Sequence, residues 1–309
     1  MRKRLSVDID YPFVLARGIH KRFGRVTALD GLDLSVRAGE VHGFLGPNGA
    51  GKSTTIRALL GQLRLDGGEL EVLGGHPVRD ARTIHPRLAY VTGDTALWPS
   101  LTGGECIDLI AGFQGGQDRA RRDELVDRFE LDPRRRARTY SKGNRQKVAL
   151  VAALSSTADL FVLDEPTSGL DPLMEAVFQQ VVRELAEEGR TVLLSSHILD
   201  EVEALCDRVT IIRRGRTVST GTLEDLRANT LTTVETTTAH GIRALSGVPG
   251  VTDVVERPVS RGTHTTFSTT HAALPAAVTL VARHEPASLV VRPPSLEELF
   301  LEHYDEVPA

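Results

Sequence analysis

Residues 46–54 read GPNGAGKST, and Gly46, Gly51, Lys52 and Ser53 occupy the fixed positions of the pattern G-x-x-x-x-G-K-[ST]. Such a loop turns backbone N–H groups inward around the α- and β-phosphates of a nucleoside triphosphate. Lys52 then reaches the β- and γ-phosphates, and the Ser53 hydroxyl ligates magnesium. The phosphate-contacting set is expected to run through Gly46, Asn48, Gly49, Ala50, Gly51, Lys52, Ser53 and Thr54. A second string, LFVLDEPTSGLD over residues 160–171, is an apolar strand that ends in two carboxylates. That placement puts Asp164 at the carboxyl edge of a sheet, where it can hold the magnesium through water. Glu165, next to it, can orient and polarise an attacking water.

These residues need elements to carry them. An apolar run at 41–45 reads as a buried strand before the loop, and residues 54–60 continue as a helix whose positive N-terminus faces the phosphates. Further short β-like runs lie at 13–15, 32–36 and 69–73, separated by Gly and Asp turns, which predicts a mixed sheet around the nucleotide site. Residues 101–130 turn helical and charged, with apolar residues at helical spacing, and read as a helical insert. Strands return at 160–163, 191–194 and 209–212 with helical runs at 174–188 and 198–206 between them, an alternation that argues for a mostly parallel α/β sheet. Around 225–229 the character changes. A Thr-rich stretch at 231–238 opens a tail that reads strand, helix (241–247), strand (251–256), strand (263–269), helix (272–283), strand (288–292) and helix (295–303). That order is the one of a small ferredoxin-like α+β module. Its threonines read as β-propensity rather than chemistry.

Composition bounds the partners. The 309 residues are 40% apolar and 25% charged, as in a folded soluble protein, and the net charge of −4 carries no footprint for wrapping nucleic acid. Cys106 and Cys206 stand far apart and outside any metal spacing, so buried apolar roles in a reduced compartment are expected. The start, Met1-Arg-Lys-Arg-Leu5, has the charge of a signal peptide, but Asp8 and Asp10 interrupt the apolar stretch that should follow, so residues 1–12 read as a solvated tail. Apolar runs such as 148–154 fall far short of the roughly 20 residues that span a bilayer.

Taken together, the phosphate loop and the LFVLDEPTSGLD string resemble those of ABC-type ATPases, over roughly residues 13–225. The resemblance implies roles at other stations. Phe23, about two dozen residues before the loop, stands where the family places an aromatic that stacks on adenine; a core Phe is the alternative. Ser196-His197 follows the strand at 191–194, where the family has its switch histidine on the γ-phosphate. Gly169-Leu170-Asp171 matches the loop through which two such domains sense each other, which places Asp171 among the nucleotide-side residues. The family signature LSGGQ reads Tyr140-Ser-Lys-Gly-Asn144 here. Ser141 and Gly143 match and are implied to meet a γ-phosphate, while Lys142 and Asn144 depart; Lys142 either adds charge toward phosphate or faces solvent. At the strand end Tyr90-Val-Thr-Gly-Asp94, Gly93 replaces the glutamine by which most relatives sense magnesium and water. Asp94 beside it is the candidate to take over that role as a metal ligand. Trp98, the only tryptophan, either docks on a membrane partner or fills a local core.

The implied architecture is an ABC ATPase domain over 13–228 with a helical subdomain about 95–155, then an accessory α+β domain over 229–309. One phosphate loop and one signature per chain imply two copies paired head-to-tail around two ATP molecules, with Mg2+. The absence of a span implies a separate multi-span permease docked on the helical insert and residues 96–101, and a place on the cytoplasmic face of the membrane. The ending Pro294-Ser-Leu-Glu-Glu-Leu-Phe300 and the string GFLGPNGAGKSTTI resemble the ATPases of bacterial drug, antibiotic and polysaccharide exporters. The reading is an ATP-hydrolysing subunit of a drug or antibiotic exporter. The alternatives are the ATPase of a polysaccharide or lipid exporter or of an importer, and a soluble regulatory ABC protein.

Overall fold

A computed structural model describes residues 11–228 and 231–292. Residues 1–10 of the expected tail, the boundary residues 229–230, the expected helix at 295–303 and the ending at 294–300 lie outside the described residues. The chain divides into two units, Met1–Thr220 and Gly221–Ala309. The division falls ahead of the position 228/229 at which composition changes. The Thr-rich stretch marks the first strand of the second unit's sheet, whereas the chain leaves the first unit's sheet earlier.

In the first unit β1 (Pro12–Phe23), β2 (Val26–Arg37) and β3 (Val41–Leu45) lead through the phosphate loop to α1 (Lys52–Leu59). There follow β4 (Gly67–Val72), the short helix α2 (Ala81–Ile84) and β5 (Leu88–Val91), and then α3 (Gly103–Phe113), α4 (Arg119–Arg128) and α5 (Lys142–Leu154) of the helical insert. The chain re-enters the sheet as β6 (Leu160–Asp164), and continues through α6 (Pro172–Glu187), β7 (Thr191–Ser196), α7 (Leu199–Leu205), β8 (Arg208–Arg213) and β9 (Arg216–Thr222).

The strands form two sheets. One is antiparallel with order β2-β1-β4, and the other has order β5-β6-β7-β3-β8-β9 with parallel pairing from β5 through β8. Every residue of β3, β6 and β7 is buried, because helices cover both faces of a parallel sheet, and this is why 160–163 reads as an unbroken apolar run and 41–45 is interrupted only by the buried His42. Strands β1 and β2 are longer than the short runs at 13–15 and 32–36. Register shifts between Ala16 and Ile19, beside Gly18, break the alternation that a sequence pattern relies on. Thr102 and Glu105 form a reciprocal capping box that starts α3, and Asp118 caps α4. Among the described residues no helix is long and apolar enough to cross a membrane.

In the second unit a short helix α8 (Leu223–Ala228) precedes β10 (Thr232–Thr238), β11 (Val251–Val259), β12 (Gly262–Thr269), α9 (Leu274–Ala282) and β13 (Ser288–Arg292). The sheet order is β11-β12-β10-β13, antiparallel throughout, the split-βαβ order of a ferredoxin-like module. The first helix expected, at 241–247, is instead a short 3-10 segment over Arg243–Gly247, tighter than an α-helix. Val234, Ile242, Leu245, Phe267, Ala277 and Val281 form its core. Thr232, Thr236, Thr238, Thr265 and Thr269 supply the rest of the buried sheet face.

Candidate functional site

Three parallel strands deliver the chemistry to one sheet edge. Strand β3 ends at the phosphate loop, and α1 begins at Lys52 with no acidic residue in its first turn, so its positive end is free for an anion. The loop closes on itself through Ala50 N donating to Pro47 O at 3.1 Å. Ala50 turns its methyl into the core. Asn48, Gly49 and Ser53 are exposed at the loop surface. Lys52 is only 5% exposed and folds back over the loop, its Nζ donating to Gly46 O at 2.5 Å. Burial pulls the Lys52 ammonium pKa down, and the charges of Glu165 and Asp164 oppose that pull.

Strand β6 ends at Asp164, which is 8% exposed, and its Oδ1 is buried without a hydrogen-bond partner. Burial pushes the Asp164 carboxyl up; the nearby Ser195 and Ser53 hydroxyls and Lys52 oppose this, and the Glu165 charge adds to it. A buried carboxylate oxygen left open beside a serine hydroxyl is a hard-oxygen donor set, the kind that suits Mg2+. Among the described residues no cluster of His, Cys, Asp or Glu makes a metal cage, so such a cation needs phosphate and water as its remaining ligands. Glu165 takes a left-handed backbone, φ 48°, as the chain turns off the strand. This aims its carboxylate between two partners: Oε1 lies 3.9 Å from Lys52 Nζ and 3.2 Å from His197 Nδ1.

His197 follows β7 and is half-exposed. The turn that carries it is held by Ser196, whose hydroxyl donates to Glu201 Oε2 at 2.6 Å and accepts from Ile198 N at 3.0 Å. Gly93 closes the site from the side of β5. A Cβ there would stand 3.0 Å from the Cβ of Glu165 and 3.2 Å from Asp164 O, so the site is built around the missing side chain. Asp94 is exposed, and the contacts into the site come from its neighbours Gly93 and Thr95 rather than from Asp94.

The other expected residues are carried by elements other than β3, β6 and β7. Phe23, at the end of β1, is 49% exposed, with Lys21 Nζ 5.5 Å from its ring centroid, which rules out the core alternative. Ser141 is the exposed N-cap of α5, accepting from Asn144 N at 3.2 Å, and Gly143 packs so closely on Gly169 that a Cβ would meet its carbonyl. Lys142 is exposed, and its Nζ donates to Ser168 Oγ at 2.9 Å. Asp171 spends its side chain on its own helix, Oδ1 accepting from Met174 N at 3.0 Å. Trp98 is 44% exposed, so it does not fill a core, and Leu109 and Phe113 on α3 are exposed as well.

Sequence reasoning missed Gln146. It is 1% exposed on α5, its Nε2 donating to Pro166 O at 2.9 Å and its Oε1 accepting from Thr95 Oγ1 at 2.8 Å. The available signal was a lone amide on a helix face otherwise composed of Val, Ala and Leu.

A family model described as ABC transporter matches residues 29–168. A daunorubicin resistance ATP-binding protein of Streptomyces coeruleorubidus is 42% identical over 218 residues, 69% of this chain and 69% of that protein. A linearmycin resistance ATP-binding protein of Bacillus subtilis is 36% identical over 217 residues, 68% of this chain and 70% of the relative. Among solved structures, an ATP-binding subunit of an ABC transporter aligns with TM-score 0.64 at 30% identity, over 70% of this chain and 92% of that one. A dimeric bacterial ABC transporter cassette shares the fold with TM-score 0.62 at 23% identity, over 68% and 98% of the two chains.

Proposed function

The chain belongs to the ABC transporter family of ATP-binding proteins, and from that premise we propose that it binds and hydrolyses ATP to drive a drug or antibiotic exporter. The observation that carries the reading is the Glu165 carboxylate, poised between Lys52 and His197 at the end of the strand that presents Asp164. In this reading residues 46–54 hold the phosphates on the N-terminus of α1, and Lys52 supplies the buried cation against the β- and γ-phosphates. Ser53 and Asp164 hold Mg2+, which when bound neutralises phosphate charge. Glu165 orients and polarises the attacking water, and His197 steadies the Glu165 carboxylate and contacts the γ-phosphate. Phe23 stacks on adenine. Ser141 and Gly143, at the exposed start of α5, complete the γ-phosphate site of a second copy, so that ATP holds two chains together and hydrolysis releases them. The export reading is supported by relatives named for daunorubicin and linearmycin resistance. A separate membrane permease, docked through the exposed Trp98, Leu109 and Phe113 of the helical insert, brings the protein to the membrane face.

The test is ATP turnover by the full chain and its Glu165→Gln variant. The variant should lose about 100-fold or more of the rate while still binding ATP. Glu165→Gln with ATP should give a dimer by light scattering, and Lys52→Ala should stay monomeric. Equal turnover in wild type and Glu165→Gln, or a monomer in the trapped variant, would overturn this reading.

A further inference from the structure

We propose that Gln146 and Thr95 are positioning residues that hold the turn carrying Glu165 in the geometry hydrolysis needs. The inference rests on the reading of Glu165 as the group that orients the attacking water. A primary amide buried to the degree of Gln146 costs free energy unless its donors and acceptor are satisfied. Here the satisfaction has a direction. The carbonyl of Pro166 can only accept, so the amide nitrogen must face it; the amide oxygen therefore faces Thr95, whose hydroxyl donates. Thr95 is itself 9% exposed, so neither bond has water as a ready substitute.

The bridge joins three segments that each hold part of the site. Gln146 lies on α5, whose first residues follow Ser141 and include Gly143. Pro166 follows Glu165 directly, in a turn that starts from a left-handed φ of 48°. A side-chain-bearing residue keeps such a backbone only where its surroundings impose it. Thr95 belongs to the segment after β5, whose Gly93 lies against the Glu165 Cβ. Position 93 offers the turn packing but no polar side chain, and a hydrogen-bonded link from this segment to the Glu165 turn runs through Thr95 and Gln146. A displacement of α5 or of the segment after β5 is thereby transmitted to the Glu165 carboxylate.

The experiment is steady-state ATP hydrolysis by the full chain with Thr95→Val, which keeps the shape and removes the hydroxyl, and with Thr95→Ser, which keeps the hydroxyl. Thr95→Val should lower kcat about 10–100-fold through misplacement of Glu165, with the KM for ATP unchanged, and Thr95→Ser should restore kcat. Wild-type kcat in Thr95→Val, a parallel loss of kcat and ATP affinity, or a failure of Thr95→Ser to restore the rate would each overturn the proposal. Should Thr95→Val not fold, Gln146→Met, which keeps the side-chain volume and removes both bonds, carries the same readout. Glu165→Gln is measured alongside. Wild-type turnover in that variant defeats the role of Glu165 itself, whereas its loss beside an unaffected Thr95→Val defeats only the role of the bridge.

Discussion

Glu165 and Phe23 differ in how much of their setting their neighbours in sequence supply. For Glu165, the preceding apolar strand already dictates an end-of-sheet carboxylate. Its distances of 3.9 Å to Lys52 and 3.2 Å to His197 arise only because β3, β6 and β7 lie side by side. For Phe23, local sequence left a core reading open as the alternative to the adenine-stacking one, and its 49% exposure removes the core reading. An aromatic face held half in water is available to stack on a base, and base–aromatic stacking is worth about 1–3 kcal/mol. Phe23→Ala should therefore weaken ATP binding about tenfold in titration calorimetry, leaving the fold intact; unchanged affinity would return Phe23 to a surface role. Gln146 carried one sequence signal, the apolar residues around it on α5, which local sequence does not turn into burial. An amide five residues into a helix looks solvated until the helix is known to be buried on that face.

At the scale of elements, α7 shows how a helix behind the site fixes a residue in front of it. Glu201 on α7 is 5% exposed and accepts the Ser196 hydroxyl that shapes the turn before His197. Burial is the main cause that raises its carboxyl above the ordinary 4.5; Ser196, Thr167 and His197 oppose the rise and Glu175 adds to it. The sign follows from the raised value. The stability this group contributes is full below the unfolded pKa, where it is protonated, and is lost as pH rises through the folded pKa. Glu201→Gln, uncharged at every pH and able to accept from Ser196, should raise the thermal midpoint at neutral pH. The gain should shrink toward zero as pH falls to the ordinary carboxylate range. A lower midpoint for the variant at neutral pH would mean that the ionised carboxylate is net stabilising. The helix itself was legible at 198–206 from its apolar spacing, but the buried role of Glu201 was not, because an acidic residue in a helix's first turn normally faces water.

For the whole molecule, the two units carry separate cores, one around the β3 sheet and one around Val234 and Phe267. A ligand that binds only the native first unit stabilises it by about 2.7 kcal/mol at a hundredfold excess over Kd. Hydrogen exchange should therefore show that saturating ATP slows the amides of β3, β6 and β7 and leaves those of β10 and β12 unchanged. Equal slowing in both sheets would show that the units open together. The alternation of strands and helices in the first unit, and the four strands and the helix before the last strand in the second, were readable because periodicity and turn residues act over a few positions. The long paired strands β1 and β2 were not, because bulges shift their register and hide the alternation.

The amino-acid sequence by itself marked a phosphate loop and a pair of carboxylates after an apolar strand, and through the family resemblance a histidine after another strand, as candidates for one nucleotide site. Those signals are local, a few residues in fixed spacing on a strand end or a helix start. Only the tertiary structure decided that Gly93 leaves room for the Glu165 turn, that Lys142 and Asp171 bond within their own chain, and that Gln146 joins three segments of the site. Those facts depend on which surfaces meet across the fold, and burial sets both the bonds a polar side chain must make and the cost of leaving them unmade.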